Sequence, residues 1–215
     1  MWDALRQIAL TGYADARLHG HILHSVKLVL MGFAVAVATG VPLGLAMGWS
    51  RRTEALVNPA FLLIRPIPPL AWIPLAIVWL GLGDAAKVLI IWLAAFVPSV
   101  INSYAGVRNI DPTLLEAART LHIRGFMLVR EILLPGAAPM IFTGLRLSLQ
   151  ACCTTLVAGE LIGAIAGLGH VLYQSSLDIF PAMILVGMVG VALAGGIMTW
   201  ALGRVELRSM PWRRG

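Results

Sequence analysis

The sequence predicts an all-α protein that folds inside a lipid bilayer, and three observations carry that expectation. Hydrophobic residues make up 59% of the chain against 12% charged, and mean hydropathy is +0.87, far from the mix of a water-soluble domain. Long apolar stretches recur at Ser25 to Trp49, Pro59 to Leu80, Val88 to Gly106, Met140 to Ala166 and Ala182 to Gly203. Each is close to the roughly 20 residues that carry a helix across a bilayer core. One long polar interruption, residues 107–135, separates the third stretch from the fourth. The expectation is five spans in one membrane domain over residues 1–215, preceded by a short extracytoplasmic segment, residues 1–24.

The opening residues, Met1 to Gly20, mix charges of both signs and lack a compact apolar run before a small-residue cleavage site, so no signal peptide is predicted. The formal charge of +6 invites a nucleic-acid reading, but lysines and arginines that flank membrane spans set orientation instead. Arg51 and Arg52, then Arg108, Arg119, Arg124 and Arg130, then Arg204, Arg208, Arg213 and Arg214 fall on one side, ten in all. Arg6, Arg17, Lys27 and Lys87, four in all, fall on the other. The ten-residue side is therefore assigned to the cytoplasm, with the N-terminus outside, the C-terminus inside and no nucleic-acid partner.

The first span carries Gly32, Gly40, Gly44 and Gly48. The last three recur every four residues, which bares one helix face for the close approach of another helix. The second span holds Pro59, Pro66, Pro68, Pro69 and Pro74, each of which removes a backbone donor and restricts its predecessor. A regular helix through Arg65 to Pro69 is not expected. Broken backbone at membrane depth is tolerated where it is packed in protein or lines a wet cavity, so this segment should face inward. Arg65 has two readings: it snorkels toward the nearby Arg51 and Arg52, which its position favours, or it faces a path and attracts anions.

The interruption at residues 107–135 reads as folded. Asp111 before Pro112 supplies an N-cap and a first-turn proline. Leu114, Leu115, Ala118, Leu121, Leu128, Val129, Ile132 and Leu133 then recur at about helical spacing. Gly125 is expected to split the segment into two short amphipathic helices, and Pro135 to end the second.

Catalytic chemistry lacks a constellation. His21 and His24 lie within helical reach and, with His19 and Asp15, are the best metal candidates, but no nearby cysteine completes a set, and interfacial polar residues are the favoured reading. Cys152 and Cys153 are adjacent, too close for an ordinary disulfide, and read as packing residues. Glu160 is the one carboxylate deep in a span, either functional or hydrogen-bonded to a neighbouring helix. A phosphate loop needs lysine followed by Ser or Thr. Here Lys27 and Lys87 are followed by Leu28 and Val88, so any ATP hydrolysis must come from another chain.

Glu116-Ala117-Ala118-Arg119-Thr120-Leu121-His122, followed by Ile132 sixteen residues after the Glu and by Leu134-Pro135, resembles the EAA signature of bacterial ABC importer permeases. Where that family usually has glycine, six residues after the Glu, this chain has His122, and Gly125 is the residue expected to take over the turn. Arg65-Pro66-Ile67-Pro68-Pro69-Leu70-Ala71-Trp72-Ile73-Pro74-Leu75, the stretch from Asn102 to Pro112, and Gly167-Leu168-Gly169 are similar to permeases of the aliphatic sulfonate, taurine, nitrate and bicarbonate group. Members commonly begin with one more helix than this chain shows, leaving here a five-helix core.

The resemblance implies a type I importer fold in a bacterial inner membrane. Two permeases, here two copies of this chain, clasp a path, two ATPase subunits carrying ATP and Mg bind below, and an extracytoplasmic binding protein delivers substrate. No cofactor belongs to this chain, and no catalytic or metal residue is expected in it. Glu116, Ala117, Ala118, Arg119, Thr120, Leu121, His122 and Gly125 would couple to the ATPase. Arg65, Pro66, Pro68, Pro69, Trp72 and Glu160 are candidates for the path. Sulfonates or taurine are the favoured cargo. Nitrate, bicarbonate, thiamine-precursor pyrimidines and aromatic carboxylates are alternatives within the same architecture. A polytopic enzyme using Glu160 and the outer histidines is the rival from another class. A secondary transporter is disfavoured, because only one interrupted span is visible.

Overall fold

The computed structural model describes residues 2–14, 16–123, 125–161 and 166–210. Asp15, Arg124, Arg213 and Arg214, named above, lie outside the described residues, as does the side chain of Arg119. A short helix α1 (Trp2–Arg6) runs into a π turn (Gln7–Thr11) before the first long helix, α2 (Leu18–Trp49). Helices α3 (Arg51–Ile64), α4 (Ile73–Leu80), α5 (Asp84–Arg108) and α6 (Pro112–Thr120) follow. Beyond them come α7 (Gly125–Leu128), a π turn (Val129–Leu133), α8 (Leu134–Leu161), α9 (Leu168–Leu177) and α10 (Pro181–Ser209).

Helix α5 is the centre of the bundle. Gly32, Gly40, Gly44 and Gly48 of α2 meet Ile91, Ser99, Val100 and Val107 of α5 in that order, so the two helices run parallel. A Cβ on Gly44 would stand 2.5 Å from the Val100 carbonyl oxygen, which is why that face is bare. On the other side α8 runs antiparallel to α5. Gly106 faces Ala137, Asn102 faces Gly144, and the Ser99 and Ser148 hydroxyls lie 2.8 Å apart, a buried polar contact of the kind that ties helices together in lipid.

Parallel α2 and α5 require the chain between them to recross the bundle. It does so as α3 and α4, joined through a 3-10 turn (Pro69–Trp72) and bent by 82°. Among the described residues four helices are long and apolar enough to span, five if this bent pair counts as one. The apolar stretch from Pro59 to Leu80 is thus a broken crossing, with α3 starting earlier, at a Ser50 cap whose hydroxyl accepts from the Thr53 N–H at 3.3 Å. Pro66, Pro68 and Pro69 follow Arg65 too closely for the ladder of backbone bonds to continue.

Two boundary expectations fail. Pro135 does not end a helix; it occupies the second position of α8, and the helical run continues from Gly125 to Glu160. The π turn ahead of it explains this. The Leu134 N–H reaches back to the Val129 carbonyl, and the widened turn relieves the crowding between a proline ring and the preceding carbonyls. The fourth span also begins before Met140, at Leu134; residues 162–165, next to its expected end at Ala166, lie outside the described residues. The short helix α9 was not anticipated.

Candidate functional site

Three places carry polar or exposed features that packing alone does not require. The first is the segment α6–α7 at the arginine-rich end of the bundle. Asp111 accepts from the Thr113 N–H at 2.8 Å and from the Thr113 hydroxyl, capping α6. The Thr113 hydroxyl, and then its N–H, hold the Asp111 carboxyl below the usual carboxylate range.

Helix α6 closes with a Schellman motif. The Ile123 N–H donates to the Ala118 carbonyl at 2.9 Å while His122 takes φ +56°. The left-handed geometry that favours glycine is therefore held by His122 itself. Gly125 does not replace it but adds a second left-handed residue at φ +60°, which turns the chain into α7. Ala118 is buried, and Leu115, Leu128 and Val129 pack toward Val107, Ile110 and Leu133. Glu116, Ala117, Thr120, Leu121 and His122 face out. Leu114, Leu121, Phe126 and Met127 are exposed too, Phe126 to 78%. The periodic apolar residues thus divide into an inward set and an outward one, and Arg130 of the same segment is exposed as well.

The second place is a cavity of about 370 Å³ at the break between α3 and α4. Arg65, Pro69 and Trp72 enter it from the break, Trp92 and Phe96 from α5, and Ala151 from α8. Arg65 is the one charged residue among its described lining. Pro66 and Pro68 shape the turn and are solvent- or lipid-exposed.

The third place is Glu160, which the structure sets apart from that cavity. It is fully buried near the opposite end of the bundle, accepting from the Ser25 hydroxyl at 2.8 Å and the Gly169 N–H at 2.7 Å. The Leu168 N–H donates to Ser25 Oγ at 2.9 Å and the Gly167 N–H to His21 Nδ1 at 3.0 Å. An accepting Nδ1 leaves the proton on Nε2, which donates to the Tyr13 carbonyl at 2.9 Å. Three successive N–H groups at the start of α9 are thereby satisfied by side chains from α2 and α8, and a carboxylate sits at a helix N-terminus, where the backbone dipole favours it. Gly167-Leu168-Gly169 has a steric reason as well: a Cβ on Gly167 would fall 2.2 Å from Glu160 Oε1.

The histidines of the N-terminal region diverge. His21 is buried in this network, while His24 Nε2 lies 3.3 Å from Asp84. The thiols of Cys152 and Cys153 are free. One feature escaped the sequence reading: Thr143, Arg146, Gln150 and Thr154 are exposed along one face of α8. Their spacing of three, four and four in an otherwise apolar helix was the available signal.

A family model described as binding-protein-dependent transport system inner membrane component matches residues 40–205. The taurine transport system permease protein TauC of Escherichia coli (strain K12) is 35% identical over 94% of this chain and 73% of its own length. The putative aliphatic sulfonates transport permease protein SsuC of Bacillus subtilis (strain 168) is 31% identical over 97% of this chain and 74% of its own. The bicarbonate transport system permease protein CmpB of Synechococcus elongatus is 33% identical over 93% and 73%. Among solved structures, an inward-facing MetNI methionine ABC transporter chain superposes with a TM-score of 0.68 over 86% of this chain and 95% of that one, at 19% identity. That likeness speaks to the fold.

Proposed function

Because the chain belongs to the family of binding-protein-dependent transport system inner membrane components, a transport subunit of ABC importers and not an enzyme, we propose that it is the permease of an importer for small anions, with aliphatic sulfonates or taurine as first cargo. A multi-pass permease of this family works with an ATPase and a substrate-binding protein. In the proposed assembly two copies of this chain form the path, two ATPase subunits holding ATP and Mg dock on the cytoplasmic side, and the N-terminus lies outside.

The single observation that carries the coupling role is the outward apolar set Leu114, Leu121, Phe126 and Met127 along α6, its Schellman turn and α7 at the arginine-rich end. Exposed apolar residues on a rigid, polar-rimmed element suit a protein partner. Glu116, Ala117, Ala118, Arg119, Thr120, Leu121, His122 and Gly125 then pass ATPase movement into α5 and α8, because Leu115, Leu128 and Val129 pack against the Val107, Ile110 and Leu133 cluster. Force enters through a lever that is bolted to the bundle. Support for an anionic cargo comes from Arg65 in the cavity with Trp72 and from the taurine, sulfonate and bicarbonate relatives.

Ala118→Pro and Glu116→Lys test this in the reconstituted complex. Proline at buried Ala118 breaks the helix, and lysine at exposed Glu116 reverses a charge at the docking face without disturbing the fold. Both should abolish uptake and the stimulation of ATP hydrolysis by the loaded binding protein. Normal stimulated hydrolysis in either variant would rule out the coupling role. Uptake assays with taurine, alkanesulfonates, nitrate and bicarbonate decide the cargo.

A further inference from the structure

Lipid-facing helices in this bundle advertise themselves. Helix α2 exposes Leu23, Leu30, Met31 and Val35, and α10 exposes Leu185, Val189, Leu193 and Ile197, as a hydrocarbon surround demands. Helix α8 differs. Its exposed residues are Leu134, Gly136, Thr143, Arg146, Leu147, Gln150 and Thr154, and from Thr143 onward four of the five are polar.

The hydroxyls of Thr143 and Thr154 are turned back onto the Pro139 and Gln150 carbonyls at 2.9 and 3.1 Å, and Arg146 pairs with Glu206 of α10. The Gln150 carboxamide has no hydrogen-bond partner among the described residues. An unpaired amide held against lipid costs several kcal/mol, so this face is covered by water or protein. Its neighbour Ala151 forms part of the wall of the cavity that Arg65 enters, so the stripe and the cavity are continuous.

Resting on the permease reading, we propose that Gln150 and Thr154 of α8 line the aqueous substrate path, and that the path passes from the Arg65 and Trp72 cavity down this stripe. The chemistry selects small oxyanions. A guanidinium and a primary amide offer N–H donors to sulfonate, carboxylate or carbonate oxygens, whereas the described cavity lining holds no carboxylate and the carboxylate at the stripe, Glu206, is already paired with Arg146.

Accessibility of introduced thiols tests the proposal in membranes holding the full chain with its ATPase. Gln150→Cys, Thr154→Cys and, as lipid-facing controls, Leu30→Cys and Leu193→Cys are treated with sulfonatoethyl methanethiosulfonate, itself an alkyl sulfonate. The unaltered chain sets the background from Cys152 and Cys153. Water at the stripe predicts labelling of the two α8 variants about tenfold faster than the controls, since lipid-buried thiols do not meet a charged reagent. Adding Arg65→Ala should slow the anionic reagent but not the trimethylammonium analogue. Rates equal to the controls overturn the proposal, as does oxidative cross-linking of Gln150→Cys to its counterpart without labelling, the mark of a dry seam between copies. Uptake by the unaltered transporter is scored separately. Normal ATP-driven uptake with silent labelling sinks the stripe alone, while absent uptake sinks the permease reading.

Discussion

The carboxylate of Glu160 accepts a 2.8 Å hydrogen bond from the Ser25 hydroxyl, 135 residues earlier in the chain. Ser25 Oγ in turn accepts from the Leu168 N–H, so removing either side chain strands a buried partner. A stranded buried donor or acceptor costs about 1–3 kcal/mol. Ser25→Ala should therefore lower the melting temperature of the detergent-solubilised protein, and Glu160→Leu should lower it further, because the Gly169 N–H also loses its acceptor. Unchanged melting in both variants would show that the network contributes nothing to stability.

Close helix packing makes opposite predictions for two glycines. Gly44→Ala places a Cβ 2.5 Å from the Val100 carbonyl oxygen, and since both helices are long and packed along their length, overpacking should cost about 1–3 kcal/mol. Gly196 of α10 has open space where its Cβ would go. Alanine there should be neutral or stabilise by up to about 1 kcal/mol. Equal melting shifts for the two would contradict the α2–α5 contact.

How much of this was legible beforehand depended on whether the signal was local. The glycine face, the break after Arg65 and the Asp111 cap follow from a few adjacent residues, and each stands in the structure. Pro135 was misread because its tolerance depends on a π turn, Val129–Leu133, that no composition rule announces. Glu160 was recognised as out of place in a span, but its partners Ser25, Gly167 and Gly169 are brought together only by tertiary packing. Gln150 was missed because a single amide in a long apolar stretch is unremarkable until α2 and α10 show what the lipid-facing pattern looks like.

The Asp111 cap titrates. Its carboxyl is held below the usual range by the Thr113 hydroxyl and N–H. A depressed group stabilises the folded state fully above its unfolded value, and that contribution disappears as pH falls through the folded value. Measured as protection relative to the unstructured chain at the same pH, the first-turn amides of α6 should be protected at neutral and mildly acidic pH and lose that protection as pH falls below the ordinary carboxylate range. Asp111→Asn should keep a cap that ignores pH over the same interval. A wild-type profile as flat as that of the Asn variant would discard this account.

The left-handed conformation of His122 gives the last prediction an unusual sign. At φ +56° a residue with a Cβ is strained by about 1 kcal/mol relative to glycine, and the Schellman closure through Ile123 to Ala118 requires that conformation. Replacing His122 by glycine should therefore slow hydrogen exchange at the end of α6, whereas Gly125→Ala, at φ +60°, should speed it. His122 is exposed, so the native bundle loses no packing in the exchange. If His122→Gly tightens the segment yet lowers ATP-driven uptake, the imidazole itself touches the ATPase. If it loosens the segment, the strain argument fails and some contact of the histidine outweighs it.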